Sequence, residues 1–138
     1  MNILVTGCAG FIGFHLCLKL SKNEKNYIYG IDNLNNYYDI KLKKDRLKIL
    51  KTYKKFFFHK TSIEQITPLK KIFKKYKPEI VVNLAAQAGV RYSILKPFSY
   101  IKSNLVGFFN VLSLSKDYKI KNFVYASSSS VYGANKNY

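Results

Sequence analysis

Only two cysteines occur in this chain, Cys8 and Cys17, too few for a disulfide framework or a metal-ligand cluster. Arginine is equally scarce: Arg46 and Arg91 stand alone among 24 basic residues, the rest being lysines. No stretch approaches the ~20 apolar residues of a membrane span, so no membrane partner is expected. The opening residues lack a basic segment followed by an apolar signal core, and a cytoplasmic location is the corresponding expectation. No repeat, low-complexity tract or linker interrupts the 138 residues, which fit one domain of the usual ~100–200 residues. Acids are few as well, 7 in all, leaving a net charge of +17. A nucleic-acid binder would gather its charge on one face, commonly with arginine forks. Here Lys41, Lys44, Lys48 and Lys51, then Lys70, Lys71, Lys74 and Lys75, take solvent-facing helical positions. That pattern predicts a scattered lysine surface and no nucleic-acid partner. The competing reading, a basic nucleic-acid-binding module, requires the lysines to form one continuous stripe.

What the chain does have is 48% hydrophobic residues, ample for a core, and a glycine-rich turn near its start. Ile3-Leu4-Val5 reads as a buried strand that runs into Thr6-Gly7-Cys8-Ala9-Gly10-Phe11-Ile12-Gly13 and then into an apolar helix. A second strand delivers Asp32, nineteen residues past Gly13. Strand, glycine turn, helix, strand and acid form the nucleotide-binding half of a Rossmann unit. Gly7 permits the tight turn, Gly10 lets backbone N–H groups approach a pyrophosphate, and Gly13 lets the helix lie close to the sheet. The Asp32 carboxylate accepts from a ribose diol and repels a 2′-phosphate, which favours NAD over NADP.

The remaining elements alternate. The first helix spans about Gly10 to Ser21, with Ile12, Leu16 and Leu20 as its apolar stripe. A strand at Tyr27 to Ile31 is followed by the polar loop 32–38 and a helix from Ile40 to Thr52, with Leu47 and Leu50 inward. Phe56 to His59 makes a third strand. Thr67 reads as an N-cap before Pro68, opening a helix whose buried face is Leu69, Ile72, Phe73 and Tyr76, stopped by Pro78. Ile80 to Leu84 is a strand covered on both faces. After the loop 85–96, a helix from Pro97 carries Ile101, Leu105, Phe108 and Leu112 on one face. Phe123 to Ala126 is the last strand, and an irregular tail follows Ser130. This order predicts an α/β fold, a Rossmann-type doubly wound parallel sheet of five strands in the order 3-2-1-4-5. Its carboxyl edge collects the glycine turn, Asp32-Asn33, Thr61-Ser62, Ala85-Ala86-Gln87 and Ser127-Ser128, where ligands of such sheets bind.

Three further segments carry a resemblance. Asp32-Asn33-Leu34-Asn35-Asn36-Tyr37-Tyr38-Asp39, Gln87-Ala88-Gly89-Val90-Arg91-Tyr92-Ser93 and Tyr125-Ala126-Ser127-Ser128-Ser129-Ser130-Val131-Tyr132-Gly133 resemble the extended short-chain dehydrogenase/reductase superfamily. Within it the chain is most similar to the nucleotide-sugar epimerases and dehydratases, the UDP-glucuronate 4-epimerases above all. The resemblance implies NAD as cofactor. Gly7, Gly10, Phe11, Ile12 and Gly13 would hold its pyrophosphate, with Asp32 and Asn33 on the adenosine ribose and Asn35 nearby. Leu84, Ala85 and Ala86 would wall the cofactor. Ser62, followed by Ile63, stands where the family usually has an acid that holds the adenine amino group; its hydroxyl can hydrogen-bond but carries no charge. Ser128 matches the catalytic Ser/Thr that binds the sugar 4-hydroxyl, with Ser127 beside it, and Arg91 matches a position near the substrate's carboxylate or diphosphate.

The implied reaction is epimerisation at C4 of a UDP-hexuronate. Hydride passes from C4 to NAD and returns to the other face of a 4-keto intermediate. The alternatives are a nucleotide-sugar 4,6-dehydratase and a non-catalytic NAD-binding remnant. Dehydratases carry an Asp-Glu pair directly after the catalytic Ser/Thr, where this chain has Ser129 and Ser130. In the superfamily a Tyr-x-x-x-Lys pair beyond strand five removes the hydroxyl proton, the lysine lowering the tyrosine pKa. The spacings Tyr37/Lys41, Tyr92/Lys96 and Tyr132/Lys136 are in the wrong places, so the chain reads as the inactive amino-terminal part of a longer, homodimeric enzyme.

Overall fold

Four consecutive buried residues, Ile3 to Thr6, make the middle strand of the sheet. The computed structural model describes residues 1–133. Among them are the strands β1 (Asn2–Thr6), β2 (Tyr27–Asp32), β3 (Phe56–Lys60), β4 (Ile80–Asn83) and β5 (Asn122–Tyr125). They pair in the order β3-β2-β1-β4-β5, all parallel, the Rossmann-type order expected from the sequence. The connections are α1 (Phe11–Ser21), α2 (Ile40–Leu50), α3 (Ile66–Tyr76), α4 (Val90–Leu95), α5 (Pro97–Tyr100), a π-helical stretch (Ile101–Gly107) and α6 (Phe108–Asp117). A 3-10 turn, Ser129–Tyr132, replaces the start of the expected irregular tail. Lys136, of the third Tyr-x-x-x-Lys spacing, lies outside the described residues.

Side chains alternate across a strand, and β1 therefore feeds two cores. Ile3 and Val5 join Phe14, Cys17, Leu47 and Leu50 under α1 and α2. Leu4 faces Leu69, Phe73, Val111 and Leu114 under α3 and α6. The exposed lysines of α2 (Lys41, Lys44, Lys48) and α3 (Lys70, Lys71, Lys74, Lys75) consequently lie on opposite layers rather than in one stripe.

Local chemistry sets the helix ends. Asp39 caps α2, its carboxylate accepting from the Lys41 N–H at 2.7 Å. Thr67 is not the cap of α3: the helix starts at Ile66 with Gln65 in the cap position. Pro68 still falls in the first turn, where N–H groups have no helical partner to lose. Lys77 closes α3 in the left-handed region, φ 44°, directly before Pro78.

Two predicted stripes are corrected. In α1 the buried residues are Gly13, Phe14 and Cys17, while Ile12 is exposed, because the helix is rotated to bring Gly13 beneath the glycine turn. Beyond Pro97, Ile101, Leu105 and Leu112 are exposed, and Gly107, Val111, Leu114 and Ser115 are buried. The wider turns of the π-helical stretch break the 3.6-residue period on which the predicted stripe rests. The loop 85–96 also contains a short helix, α4, that the sequence reading treats as irregular.

Both cysteines are free and buried. Burial pushes the Cys17 thiol from 9.0 up to about 12, and burial, reinforced by Cys17 and Asp32, raises Cys8 as well. The folded chain thus holds these protons more tightly than the unfolded chain. This contribution to stability is complete below pH 9.0 and declines as pH climbs from there towards about 12. Denaturant midpoints are expected to fall across that window, with a flatter decline in Cys17→Ala, and a thiol reagent is expected to label neither cysteine at neutral pH without denaturant.

Candidate functional site

The carboxyl ends of β1, β2, β3 and β4 open into one cleft. Its lining includes Gly7, Gly10, Asp32, Asn33, Asn35, Ser62, Ile63, Leu84, Ala85 and Ala86, ten of the residues singled out from the sequence. Gly7 turns with φ +70°, and a β-carbon on it would lie 2.9 Å from the Ala85 backbone nitrogen. A β-carbon on Gly13 would lie 2.1 Å from the Gly7 carbonyl oxygen, so only glycine lets α1 start this close to the turn. No side chain caps α1 at Gly10, and its first turn holds no acid. The helix N-terminus keeps its affinity for an external anion.

Asp32 is buried, and its two carboxylate oxygens are positioned by backbone donors. Oδ2 accepts from the Ala9 N–H at 3.1 Å and Oδ1 from the Leu34 N–H at 2.8 Å. Each oxygen keeps a further acceptor site, which suits a vicinal diol. Asn33 donates from Nδ2 to the Ser62 hydroxyl at 3.3 Å, tying the β2 exit to the β3 exit. On the other side, Thr6 Oγ1 donates to Asn83 Oδ1 at 2.7 Å and accepts from the N–H groups of Leu84 and Ala85 at 3.1 and 3.0 Å. One hydroxyl therefore sets the position of the small-residue wall after β4.

Several cleft residues escape a sequence reading. Lys43, at i−4 and i−7 from the buried Leu47 and Leu50, is itself buried; its spacing was the available signal. Its ammonium donates to the Asn35 carbonyl and Oδ1 at 3.1 and 2.8 Å and lies 4.6 Å from the centre of the Tyr38 ring. Burial lowers its pKa, an effect opposed by Asp32 and reinforced by Arg46. Arg46 reaches from α2 to the Ala9 carbonyl at 3.1 Å and the Tyr38 hydroxyl at 3.2 Å, bracing the glycine turn from outside. Asn104, in the π-helical stretch, clasps the Gln87 backbone, accepting from its N–H at 2.8 Å and donating to its carbonyl at 3.0 Å.

The other predicted residues lie around this cleft rather than in its lining. Phe11 and Ile12 are exposed at the start of α1, and Gly13 is buried beneath the turn. Arg91 is exposed on α4, and Ser127 and Ser128 are exposed just past β5. The Ala126 N–H bonds the Asn83 carbonyl at 3.3 Å, which holds that segment beside the β4 exit. Tyr37 also lines the cleft and meets the Tyr92 ring at 4.8 Å. Among the described residues, no three His, Cys, Asp or Glu side chains are grouped to hold a metal, and no helix is long and apolar enough to cross a membrane.

The parallel order, the uncapped glycine turn and the acid at the end of β2 define a Rossmann-type α/β unit with its cleft at the carboxyl edge of the sheet. The chain belongs to the GDP-mannose 4,6 dehydratase family, whose sequence model matches residues 4–138. It is 55% identical over 135 residues to Protein CapI of Staphylococcus aureus, covering 98% of this chain and 40% of that protein. It is 46% identical over 129 residues to the UDP-glucuronate 4-epimerase of Thermodesulfobacterium geofontis, covering 94% of this chain and 40% of that one. The crystal structure of the Bacillus cereus UDP-glucuronic acid 4-epimerase with UDP-glucuronic acid and NAD superposes with a TM-score of 0.89 at 37% identity. That superposition covers 99% of this chain and 43% of the B. cereus chain. The chain thus spans about two-fifths of the length of these relatives.

The Thr6 junction makes a direct prediction. Thr6→Val keeps the shape but leaves Asn83 Oδ1 and two N–H groups without their partner, at a cost of about 1–3 kcal/mol. Denaturant unfolding is expected to register that loss, and Thr6→Ser, which keeps the hydroxyl, is expected to recover most of it.

Proposed function

We propose that this chain is the NAD-binding domain, residues 1–138, of a nucleotide-sugar 4-epimerase that interconverts UDP-glucuronate and UDP-galacturonate. The observation that carries the reading is the cleft itself. A pyrophosphate cradle, a diol-accepting acid and a wall of small residues line up along four strand ends, in a fold shared with an epimerase crystallised with NAD and UDP-glucuronic acid. NAD, when bound, supplies a reversible acceptor for the hydride on the sugar's C4.

The protein's own part is to bind, orient and discriminate. The pyrophosphate rests on the turn of Gly7, Gly10 and Gly13, whose missing side chains let it approach, with the N–H groups of Phe11 and Ile12 in the first turn of α1 turned towards it. Asp32, with Asn33 and Asn35, takes the adenosine ribose and repels a 2′-phosphate. Ser62 and Ile63 border the adenine, and Leu84, Ala85 and Ala86 let the cofactor lie close to β4. Past β5, Ser128 holds the sugar 4-hydroxyl, Ser127 stands beside it, and Arg91 pairs with a carboxylate or diphosphate oxygen. The proton of the 4-hydroxyl goes to a tyrosine–lysine base carried by the rest of the enzyme, which is a cytoplasmic homodimer. These 138 residues alone bind the cofactor without turning over sugar.

The 4,6-dehydratase reading has the family's name in its favour. Against it, Ser129 and Ser130 cannot act as the carboxylic acid and base that elimination of water requires. Incubating the enzyme that carries this domain with UDP-glucuronate and, in parallel, with UDP-glucose, whose C6 hydroxyl can leave as water, decides between the two. UDP-galacturonate from the first is the expected product, and a 4-keto-6-deoxy sugar from the second would overturn the proposal. In a binding titration, Asp32→Asn is expected to weaken NAD about ten- to a hundredfold, the value of hydrogen bonds to a charged acceptor, while narrowing the preference over NADP.

A further inference from the structure

Behind Ser62 stands a carboxylate that takes no part in the cleft lining. The Ser62 hydroxyl donates to Glu64 Oε2, and the Ser103 hydroxyl donates to Glu64 Oε1 at 2.9 Å. Asn110 fixes the backbone that carries this acid, donating from Nδ2 to the carbonyls of Ile63 and Glu64, both at 3.1 Å. Burial alone would push the Glu64 pKa up. The hydrogen bonds from Ser62, the Glu64 backbone and Ser103, with Lys102 adding a nearby positive charge, bring it below the usual carboxylate value. Glu64 is therefore an anion and can only accept.

That has a consequence for Ser62. A hydroxyl has one proton and two lone pairs, and here the proton is committed to Glu64. One lone pair takes the Asn33 amide at 3.3 Å. The other is left for the cleft, which Ser62 lines. The order of the strands says what meets it. A pyrophosphate at the α1 N-terminus and a ribose on Asp32 run along the sheet from β1 to β2. The base attached to that ribose then extends towards the next strand exit, that of β3, where Ser62 stands.

We infer that Ser62, oriented by Glu64, is an obligate hydrogen-bond acceptor that selects a nucleobase bearing an exocyclic amine, so that the serine–glutamate pair does the work of a carboxylate at the β3 exit. Glu64 is a positioning residue, acting only through Ser62. The inference rests on the dinucleotide reading above, in which Ser62 borders the adenine, and adds Glu64 as the group that commits the Ser62 proton and so makes Ser62 an acceptor.

The test compares two dinucleotides that differ at one position of the base. NAD offers a 6-amino donor, and nicotinamide hypoxanthine dinucleotide offers a 6-keto acceptor. Titrating the 138-residue chain with each, we expect NAD to bind about tenfold tighter, the worth of one hydrogen bond made rather than opposed. Glu64→Ala frees the Ser62 proton to donate, and the ratio is expected to fall to about one, chiefly through tighter binding of the hypoxanthine dinucleotide. A merely structural role for Glu64 would weaken both dinucleotides alike, and an unchanged ratio overturns the inference. Ser62→Ala, with Glu64 in place, gives an independent reading: the ratio is expected to collapse, and its persistence overturns the inference even where Glu64→Ala fails to fold. Ser62→Asp combined with Glu64→Ala is expected to restore the preference for NAD. Binding of both dinucleotides by the unaltered chain with equal affinity overturns this inference alone, whereas binding of neither overturns the cofactor reading with it.

Discussion

The Gly7 carbonyl oxygen occupies the space that a β-carbon on Gly13 would need, 2.1 Å away, and the whole carboxyl edge of the sheet is arranged around that approach. Because α1 begins against the turn, its buried face is Gly13, Phe14 and Cys17, and its uncapped N-terminus opens at the end of β1. The same turn presses Gly7 towards the Ala85 backbone and sends the Ala9 N–H to Asp32. A larger residue at either glycine would shift the helix, the acid and the β4 wall together.

Two struts hold this arrangement from opposite sides. Thr6 joins β1 to the start of the β4 exit through three hydrogen bonds on one hydroxyl. Arg46, from α2, holds the Ala9 carbonyl and the Tyr38 hydroxyl, while Lys43 pins Asn35. The π-helical stretch has a comparable role beyond β4. By widening the helix it brings Ser103 to the cleft and Asn104 to the Gln87 backbone, and it packs the buried Gly107 against Ile63, a fit that leaves no room for a β-carbon.

Charge is distributed with the same economy. The exposed lysines of α2 and α3 occupy the outer faces of both helical layers, where water solvates them, while Lys43 is buried at the cleft and the few acids near the cleft are held by donors. Asp32 is fixed by two backbone N–H groups, and Glu64 by two hydroxyls. An anion surrounded by oriented donors keeps its charge at a fixed place. In the proposed reading, that property lets Asp32 address a diol directly and Glu64 act through Ser62.

The glycine turn and the acid at the end of β2 were legible from the sequence, because each depends on neighbours within some thirty residues. The strand order was legible because alternating strands and helices with right-handed crossovers permit few arrangements, although β1 pairs with β4 as far away as Ile3 against Ile80. The burial of Lys43 was not legible, because the lysine-rich composition disguised its spacing to Leu47 and Leu50. The apolar stripe beyond Pro97 was not, since one non-standard helical stretch changes the period for every residue after it. Nor was the Ser62–Glu64–Ser103 cluster, whose last member is 39 positions from the carboxylate it meets, or the Thr6–Asn83 bond across 77 positions. Such contacts depend on how α1 and the π-helical stretch pack against the sheet. The sequence by itself therefore determined which strand ends form the cleft. Only the tertiary structure decided which hydroxyls have their protons committed there, because that depends on the carboxylates and amides that folding brings beside them.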